Sequence, residues 1–344
     1  MKPRMAASLA LGLAAFCSGC AVSYQSSVDP AGTQAEQIAV LWWFFLALLG
    51  AIFVLVMAFA VWPLFHRHRG VNPEALEERH EPSRETERKL GRVVGWASGI
   101  TVLILLALIV ISVITGRATA GSEPPRDHLA IEVTGSQWWW SVRYVNDDAS
   151  RILTTANEIH VPVGRTVLIR GLSHDVIHSF WIPNLQGKRD LIPSRVTTEW
   201  FQASRPGRYR GQCAEFCGLQ HAKMALWVIA EPSDRYDAWM ENQLKPAAAP
   251  STPDTQAGQQ VFLSHACVFC HTIRGTSAAG QAGPDLTHLA SRLTIAAGTL
   301  ANTKGNLAGW ITDPQSIKPG NHMATVPLRS EDLQPLVDYL ESLQ

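Results

Sequence analysis

Two stretches of the chain carry no charge at all: Ile38 to Phe65 (IAVLWWFFLALLGAIFVLVMAFAVWPLF) and Val93 to Thr115 (VVGWASGITVLILLALIVISVIT). Each is long enough for the ~20 apolar residues that cross hydrocarbon, and each predicts a membrane-spanning helix. A buried core helix is the competing reading for either run, but two such runs in one chain argue against it. After Gly121 the pattern changes. The segments LAIEVTGSQWWWSVRY, NEIHVPVGRTVLIRG, HDVIHSFWIPN and MALWVIAEP are β-branched or aromatic, partly alternating, and broken by Gly, Pro, Asn and Asp; they predict short strands of an all-β sandwich or barrel. DRYDAWMENQL then predicts a brief closing helix. Residues 245–255, KPAAAPSTPDT, read as a semi-stiff linker. A helical pattern resumes and ends in SEDLQPLVDYLESLQ, where a Ser cap, early acids and the stripe Leu333, Leu336, Val337 and Leu340 predict an amphipathic helix. The expected architecture is multidomain: a helical hairpin in 35–120 with spans 38–65 and 93–115, a β domain in 122–244, and a small all-α domain in 256–344.

The ends of these segments set an orientation. Residues 1–20 hold Lys2 and Arg4, the apolar run LALGLAAF, then CSGC, the grammar of an export signal. Ser18 and Gly19 before Cys20 resemble a bacterial lipoprotein processing site, which makes Cys20 the lipidated residue; Cys17 stands where an aliphatic residue is usual, and a plain signal peptide cut nearby is the alternative. The connection from His66 to Arg92 holds Arg67, Arg69, Arg79, Arg84, Arg88, Lys89 and Arg92, which places it in the cytoplasm and everything after residue 115 outside. With 29 basic and 29 acidic side chains the chain has no net field to hold a polyanion, so nucleic-acid binding is not expected.

The six cysteines fall in pairs: Cys17 and Cys20, Cys213 and Cys217, Cys267 and Cys270. Such close spacings suit ligand chemistry better than disulfides, which would close loops too short to restrict the unfolded chain. CAEFCGLQHAKM sets Cys213, Cys217, His221 and Met224 within one short segment. Thiolate, imidazole and thioether together favour copper over hard cations, and zinc has no use for Met224. Two thiolates four apart invite two sulfur bridges between two copper ions.

The segment resembles subunit II of haem-copper cytochrome c oxidase, whose dinuclear CuA motif is Cys, x, Glu, x, Cys, three residues, His, two residues, Met. The resemblance spans roughly residues 35–240 and implies a cupredoxin-like β domain. By it Cys213 and Cys217 are bridges, His221 and Met224 terminal ligands, Glu215 a ligand through its carbonyl, and His178 of DVIHSF the second imidazole. Trp138, first of WWW, matches the aromatic that lies over the copper site and passes electrons inward. KRDLIPSRV resembles the segment facing subunit I, with Lys188 and Asp190 at that interface and the Glu215 side chain on a magnesium ion shared with subunit I. Ser194 stands where the family usually has Gly. Val93 stands three before Trp96, where the family generally has an acidic residue at the mouth of a proton channel; Glu85 and Glu87 lie upstream, and no proton-uptake role is carried over. His128, His160 and His174 match no ligand position and read as ordinary strand or surface histidines.

AGQQVFLSHACVFCHT contains Cys267, Cys270 and His271, the C-x-x-C-H attachment pattern for covalent haem c. A zinc site completed by His288 or His322 is the competing reading. Downstream, GPDL at Gly283–Leu286 resembles the cytochrome c loop whose Pro carbonyl orients the proximal histidine. WITDPQSIKPGNHM resembles the segment presenting the sixth ligand, here Met323, with His322 beside it as an alternative and Ala324 where Pro is usual. His and Met axial ligation raises the haem potential into the range of an electron carrier.

The resemblance implies an electron-entry subunit in a bacterial cell membrane, with the N-terminus and both redox domains on the periplasmic side. Electrons from a cytochrome c or a quinol-cytochrome c reductase would enter haem c, pass to CuA and continue to subunit I, where oxygen is reduced to water with proton pumping. The alternatives are a subunit of a CuA-containing nitric oxide reductase, and a membrane-anchored copper-binding assembly protein.

Overall fold

The computed structural model describes residues 24–65, 83–120 and 124–344. The expected signal segment, Cys20 and the loop residues Arg67, Arg69 and Arg79 lie outside the described residues. The chain divides into a helical unit, residues 37–122, and a second unit formed by the rest.

The helical unit contains most of α1 (Thr33–Phe65) and α2 (Arg84–Ala120), both long and apolar enough to cross a membrane. Both exceed the uncharged runs. The turns from Arg84 to Arg92 are also helical, because Arg, Glu and Lys are good helix formers and Glu85 pairs with Lys89 one turn on at 2.7 Å. Within α2 the Thr101 hydroxyl donates to the Ala97 carbonyl at 2.9 Å, which satisfies it without water.

The larger unit holds the β domain. β1 (His128–Ser136), β2 (Trp139–Val145), β3 (Leu153–Ala156), β5 (Thr166–Ser173) and β8 (Thr197–Gln202) form one sheet in the order β3-β2-β1-β5-β8. β4 (Glu158–Pro162), β10 (Ala225–Glu231) and β9 (Gly207–Gln212) form the other in the order β4-β10-β9. β1 runs parallel to β5 and β4 parallel to β10; the other pairings are antiparallel. Alternation aims Ile131, Val133, Trp140, Val142 and Tyr144 inward, where they meet Phe180, Phe201 and Val228. Fully burying a Phe, Ile or Leu in such a core contributes about 1.5–3 kcal/mol. A two-stranded ribbon, β6 (His178–Phe180) with β7 (Arg189–Leu191), lies outside both sheets, and helix α3 (Ser233–Gln243) follows β10.

The third region is helical: α4 (Pro253–Ser264), α5 (Cys267–Cys270), α6 (Lys304–Thr312), α7 (Pro314–Ile317) and α8 (Ser330–Glu341). α4 begins inside the stretch read as linker, because Thr252 caps it by accepting from Thr255 N at 3.2 Å and Pro253 follows. The remaining connection is not loose. Ala247 N donates to Arg274 O at 2.9 Å, Arg274 donates to Leu244 O at 3.1 Å and to Gln243 O, and His288 Nε2 lies 3.1 Å from Lys245 O. α4 crosses α8 so closely that a Cβ at Gly258 would overlap the Pro335 carbonyl; only glycine permits that contact.

Two details correct the sequence reading. The helical domain is not wholly helical: β11 (Thr294–Ile295) and β12 (Leu300–Ala301) make a small hairpin. Ser330 does not cap α8. Arg329 occupies the cap position without a side-chain cap bond, and its guanidinium pairs with Asp332 at 2.7 Å. The stripe itself packs inward, with Leu336, Val337 and Leu340 buried and Leu333 against the core.

Candidate metal centre and haem pocket

Five side chains converge at one end of the sandwich. Cys213 follows β9, and its N–H donates to Met224 O at 2.9 Å, closing the loop that carries Cys217 and His221. A short turn, His221–Lys223, brings the chain back. The Cys213 and Cys217 sulfurs are 3.7 Å apart. His178 Nδ1 lies 3.9 Å from Cys213 Sγ, His221 Nδ1 3.5 Å and Met224 Sδ 3.9 Å from Cys217 Sγ, and the Glu215 carbonyl 3.3 Å from Cys213 Sγ. Every position read from the motif is therefore in one cluster. Cys213, Cys217, Met224 and His178 are buried.

The electrostatics fit a cation. A hydrogen bond from the neighbouring thiol pulls Cys213 down to about 3, while the same hydrogen bond, with burial and the Cys213 charge, drives Cys217 well up. Two thiolates this close repel, so the second proton leaves only when positive charge arrives. His178 is desolvated, yet its contacts with Cys213 and Asp175 outweigh burial and raise its pKa.

Three supporting residues carry no role in the sequence reading. Asp175 Oδ1 sits 2.7 Å from His178 Nε2, which fixes the ring and leaves Nδ1 toward the sulfurs. Its other oxygen accepts from Gln137 N at 2.6 Å, and the Gln137 amide donates to Cys217 O at 2.7 Å. The spacing HDVIH held a signal for Asp175, as a carboxylate three residues before a ligand. Gly135 leaves room for the His178 ring, which a Cβ there would meet at 2.7 Å.

Trp138 lies against this cluster, its Nε1 donating to Cys217 O at 2.9 Å, and Trp140 fills the core. The Glu215 carboxylate pairs instead with Lys188 at 3.2 Å, with Asp190 3.8 Å from the same ammonium. Ser194 adopts φ 63°, the left-handed region in which glycine is unstrained. His160 is buried between Glu231 (2.9 Å) and Glu158 (3.1 Å) and stacks on Trp239 at 4.1 Å. Burial opposes its charge, but the two carboxylates prevail and raise its pKa.

The second candidate site is less convergent. Cys267 and Cys270 occupy the single turn of α5, with Cys270 exposed and Phe269 77% exposed beside it. His271 Nδ1 lies 2.8 Å from Pro284 O, as GPDL suggested, which leaves Nε2 for iron. Desolvation holds His271 below the usual imidazole range. Met323 is fixed by its backbone: its N–H donates to Asn321 Oδ1 at 2.8 Å and its carbonyl accepts from Gln315 at 2.8 Å. Among the described residues no hydrogen bond joins Met323 to His271. His322 turns toward Trp138, ring centroids 5.9 Å apart. His288, the zinc alternative, is occupied by Gln344 O at 2.6 Å and Lys245 O.

Comparison with known proteins agrees with both halves. Residues 143–231 match the family model for the periplasmic domain of cytochrome c oxidase subunit II, and residues 255–344 match that for cytochrome c. A cytochrome c oxidase subunit 2 of Alkalihalophilus pseudofirmus is 34% identical, with 96% of this chain and 95% of that protein aligned. One from Bacillus sp. (strain PS3) is 31% identical over 71% of this chain and 72% of its own length. The solved periplasmic domain of subunit II of cytochrome oxidase from Bradyrhizobium japonicum aligns at 30% identity and TM-score 0.33, covering 35% of this chain and 95% of that one. The copper-type ligand set and the C-x-x-C-H turn thus sit in the two matched domains, which imply copper and haem, and this membrane-anchored chain belongs to the cytochrome c oxidase subunit 2 family, with a cytochrome c domain at its C-terminal end.

Proposed function

We propose that this chain is the electron-entry subunit of a proton-pumping haem-copper oxidase, taking electrons at one covalent haem c, holding them briefly at a dinuclear CuA site and passing them to subunit I. The observation that carries the reading is the convergence of two sulfurs 3.7 Å apart with two imidazoles, a thioether and a carbonyl. When bound, the copper pair and the haem supply one-electron redox chemistry, with oxygen reduction left to subunit I.

Cys213 and Cys217 would hold the copper ions and give up their thiol protons on loading. His178, His221, Met224 and the Glu215 carbonyl would complete the ligand set, and Asp175 keeps the His178 ring from turning. In the second domain Cys267 and Cys270 would attach the haem, with His271, oriented by Pro284 O, and Met323 as its iron ligands. Trp138 lies between the copper cluster and the segment that carries Met323. The Glu215 carboxylate, here paired with Lys188, would be available to a magnesium ion at the face toward subunit I. The Lys- and Arg-rich connection between the spans supports a periplasmic position for both redox domains, where a cytochrome c or a quinol-cytochrome c reductase would supply electrons.

The test is made on the purified full-length chain in detergent, with copper and iron counted and optical and paramagnetic resonance spectra recorded. Two coppers per chain sharing one unpaired electron, with one haem that survives denaturation, are expected. One isolated copper, or bound zinc, would overturn the assignment.

A further inference from the structure

Lys318 follows α7, in the segment that leads to Met323, and only 3% of it is exposed. It has no carboxylate partner among the described residues. Its ammonium donates to Trp138 O at 2.7 Å and to Ala296 O at 3.3 Å. A cation buried without a counter-charge is costly to keep, and burial pushes this one down to about 7. Such a group persists where its hydrogen bonds hold two pieces of structure together.

Both flanks of Lys318 are tied to the copper loop. The Gln220 amide donates to Pro319 O at 2.6 Å, and the Lys223 ammonium donates to Ile317 O. The second acceptor of Lys318 lies in the turn of the β11–β12 hairpin, where Ala296, Ala297 and Gly298 take φ of 53°, 56° and 74°. Two alanines in the left-handed region are strained, and such strain persists only when surrounding structure fixes it. Here the fixing contact crosses to the other domain: Ala225 N, the residue after Met224, donates to Ala297 O at 2.9 Å.

The result is a roof. Trp138 is left 7% exposed, with the His322 ring on it, its carbonyl held by Lys318 and its indole nitrogen held by Cys217 O at 2.9 Å. We propose that Lys318 is a positioning residue that locks the Met323-bearing segment over Trp138 and so fixes the alignment of the cytochrome c domain on the copper domain. This proposal rests on the relay described above.

Lys318→Met keeps the side chain's bulk and removes its three donors. In the full-length chain in detergent, hydrogen exchange of the peptides covering 217–224 and 315–324 is expected to quicken by about tenfold as the closed face opens. In the loaded chain, electron transfer from haem to copper after photoreduction is expected to slow by about tenfold as the two domains lose their alignment and to become dependent on viscosity, with both metal spectra unchanged. Gln220→Ala, which cuts a neighbouring tie from the copper side, should give the same changes at smaller size and covers the case in which the first variant misfolds. Unchanged exchange and transfer in both variants, with copper and haem fully loaded, would overturn the proposal. A wild-type chain that lacks the two coppers or the haem would instead overturn the relay, while the exchange of the same two peptides still reads the lock on the bare polypeptide.

Discussion

The copper site and the haem site are built by opposite strategies. Around Cys213 and Cys217 the polypeptide has done the work: strands, a closed loop and the Asp175 carboxylate bring every donor atom together. Around His271 the polypeptide shows a single ring contact, to Pro284 O, with Cys270 and Phe269 exposed and Met323 fixed through its backbone. The sandwich has its own core of Trp140, Tyr144, Phe180 and Phe201, whereas the helical domain has a smaller one led by Tyr339, Phe262 and Leu340. A metal can be added to the first domain late. On the proposed function the second adds its prosthetic group to the smaller of the two cores and gains more stability from it.

The sharpest break of that comparison is to remove each pair of cysteines in turn. Cys267→Ala with Cys270→Ala should lower the calorimetric transition of the cytochrome c domain substantially without abolishing it, while copper still loads. Cys213→Ala with Cys217→Ala should abolish copper binding and leave the sandwich transition within a few degrees of its original position. Equal damage from both pairs would mean that the copper domain, too, depends on its metal.

A smaller effect joins the two regions. Glu158 holds His160 with one oxygen and accepts from Leu293 N of the helical domain with the other at 2.9 Å. Because the folded His160 pKa lies above its unfolded value near ~6.5, its protonation stabilises the fold fully below that pH, and the contribution fades as pH rises through the folded value. The melting temperature of the parent minus that of His160→Gln should therefore shrink as pH rises from 6 to 9. A constant difference would show that the ring serves by packing on Trp239 alone.

Smallest is Ser194. Its φ of 63° costs roughly 1–2 kcal/mol for a residue with a Cβ, so Ser194→Gly should raise chemical-denaturation stability by about 1 kcal/mol, offset in part by the entropy glycine loses. A loss would mean that the serine side chain compensates the strain.

What the sequence discloses follows from how local each feature is. The six candidate copper-site positions are readable because five lie in one short segment and His178 sits in a recognisable strand, and the inward set of the sandwich is readable from alternation. The helices run beyond the charge-free spans, since a charge-free criterion stops at Val93 while helix propensity carries α2 back to Arg84. Asp175 does not stand out because a carboxylate in a loop has many uses. Lys318 is invisible for a stronger reason: in IKPGNHM it reads as a solvated loop lysine, and only tertiary packing against Trp138, 180 residues away, buries it. Likewise nothing in LTIAAGTL announces left-handed alanines, because the contact that stabilises them belongs to β10.

In the relay proposed above, the pinned connection between α3 and α4 would set the kinetic order of the hand-over. With Gln243, Leu244 and Lys245 carbonyls fastened to Arg274 and His288, the second domain cannot wander from the first. Its local concentration there is fixed by covalent geometry and is untouched by dilution. Donor and acceptor therefore meet at a constant ratio of one to one however few chains a membrane contains, and salt that would disperse a diffusible pair leaves the encounter in place.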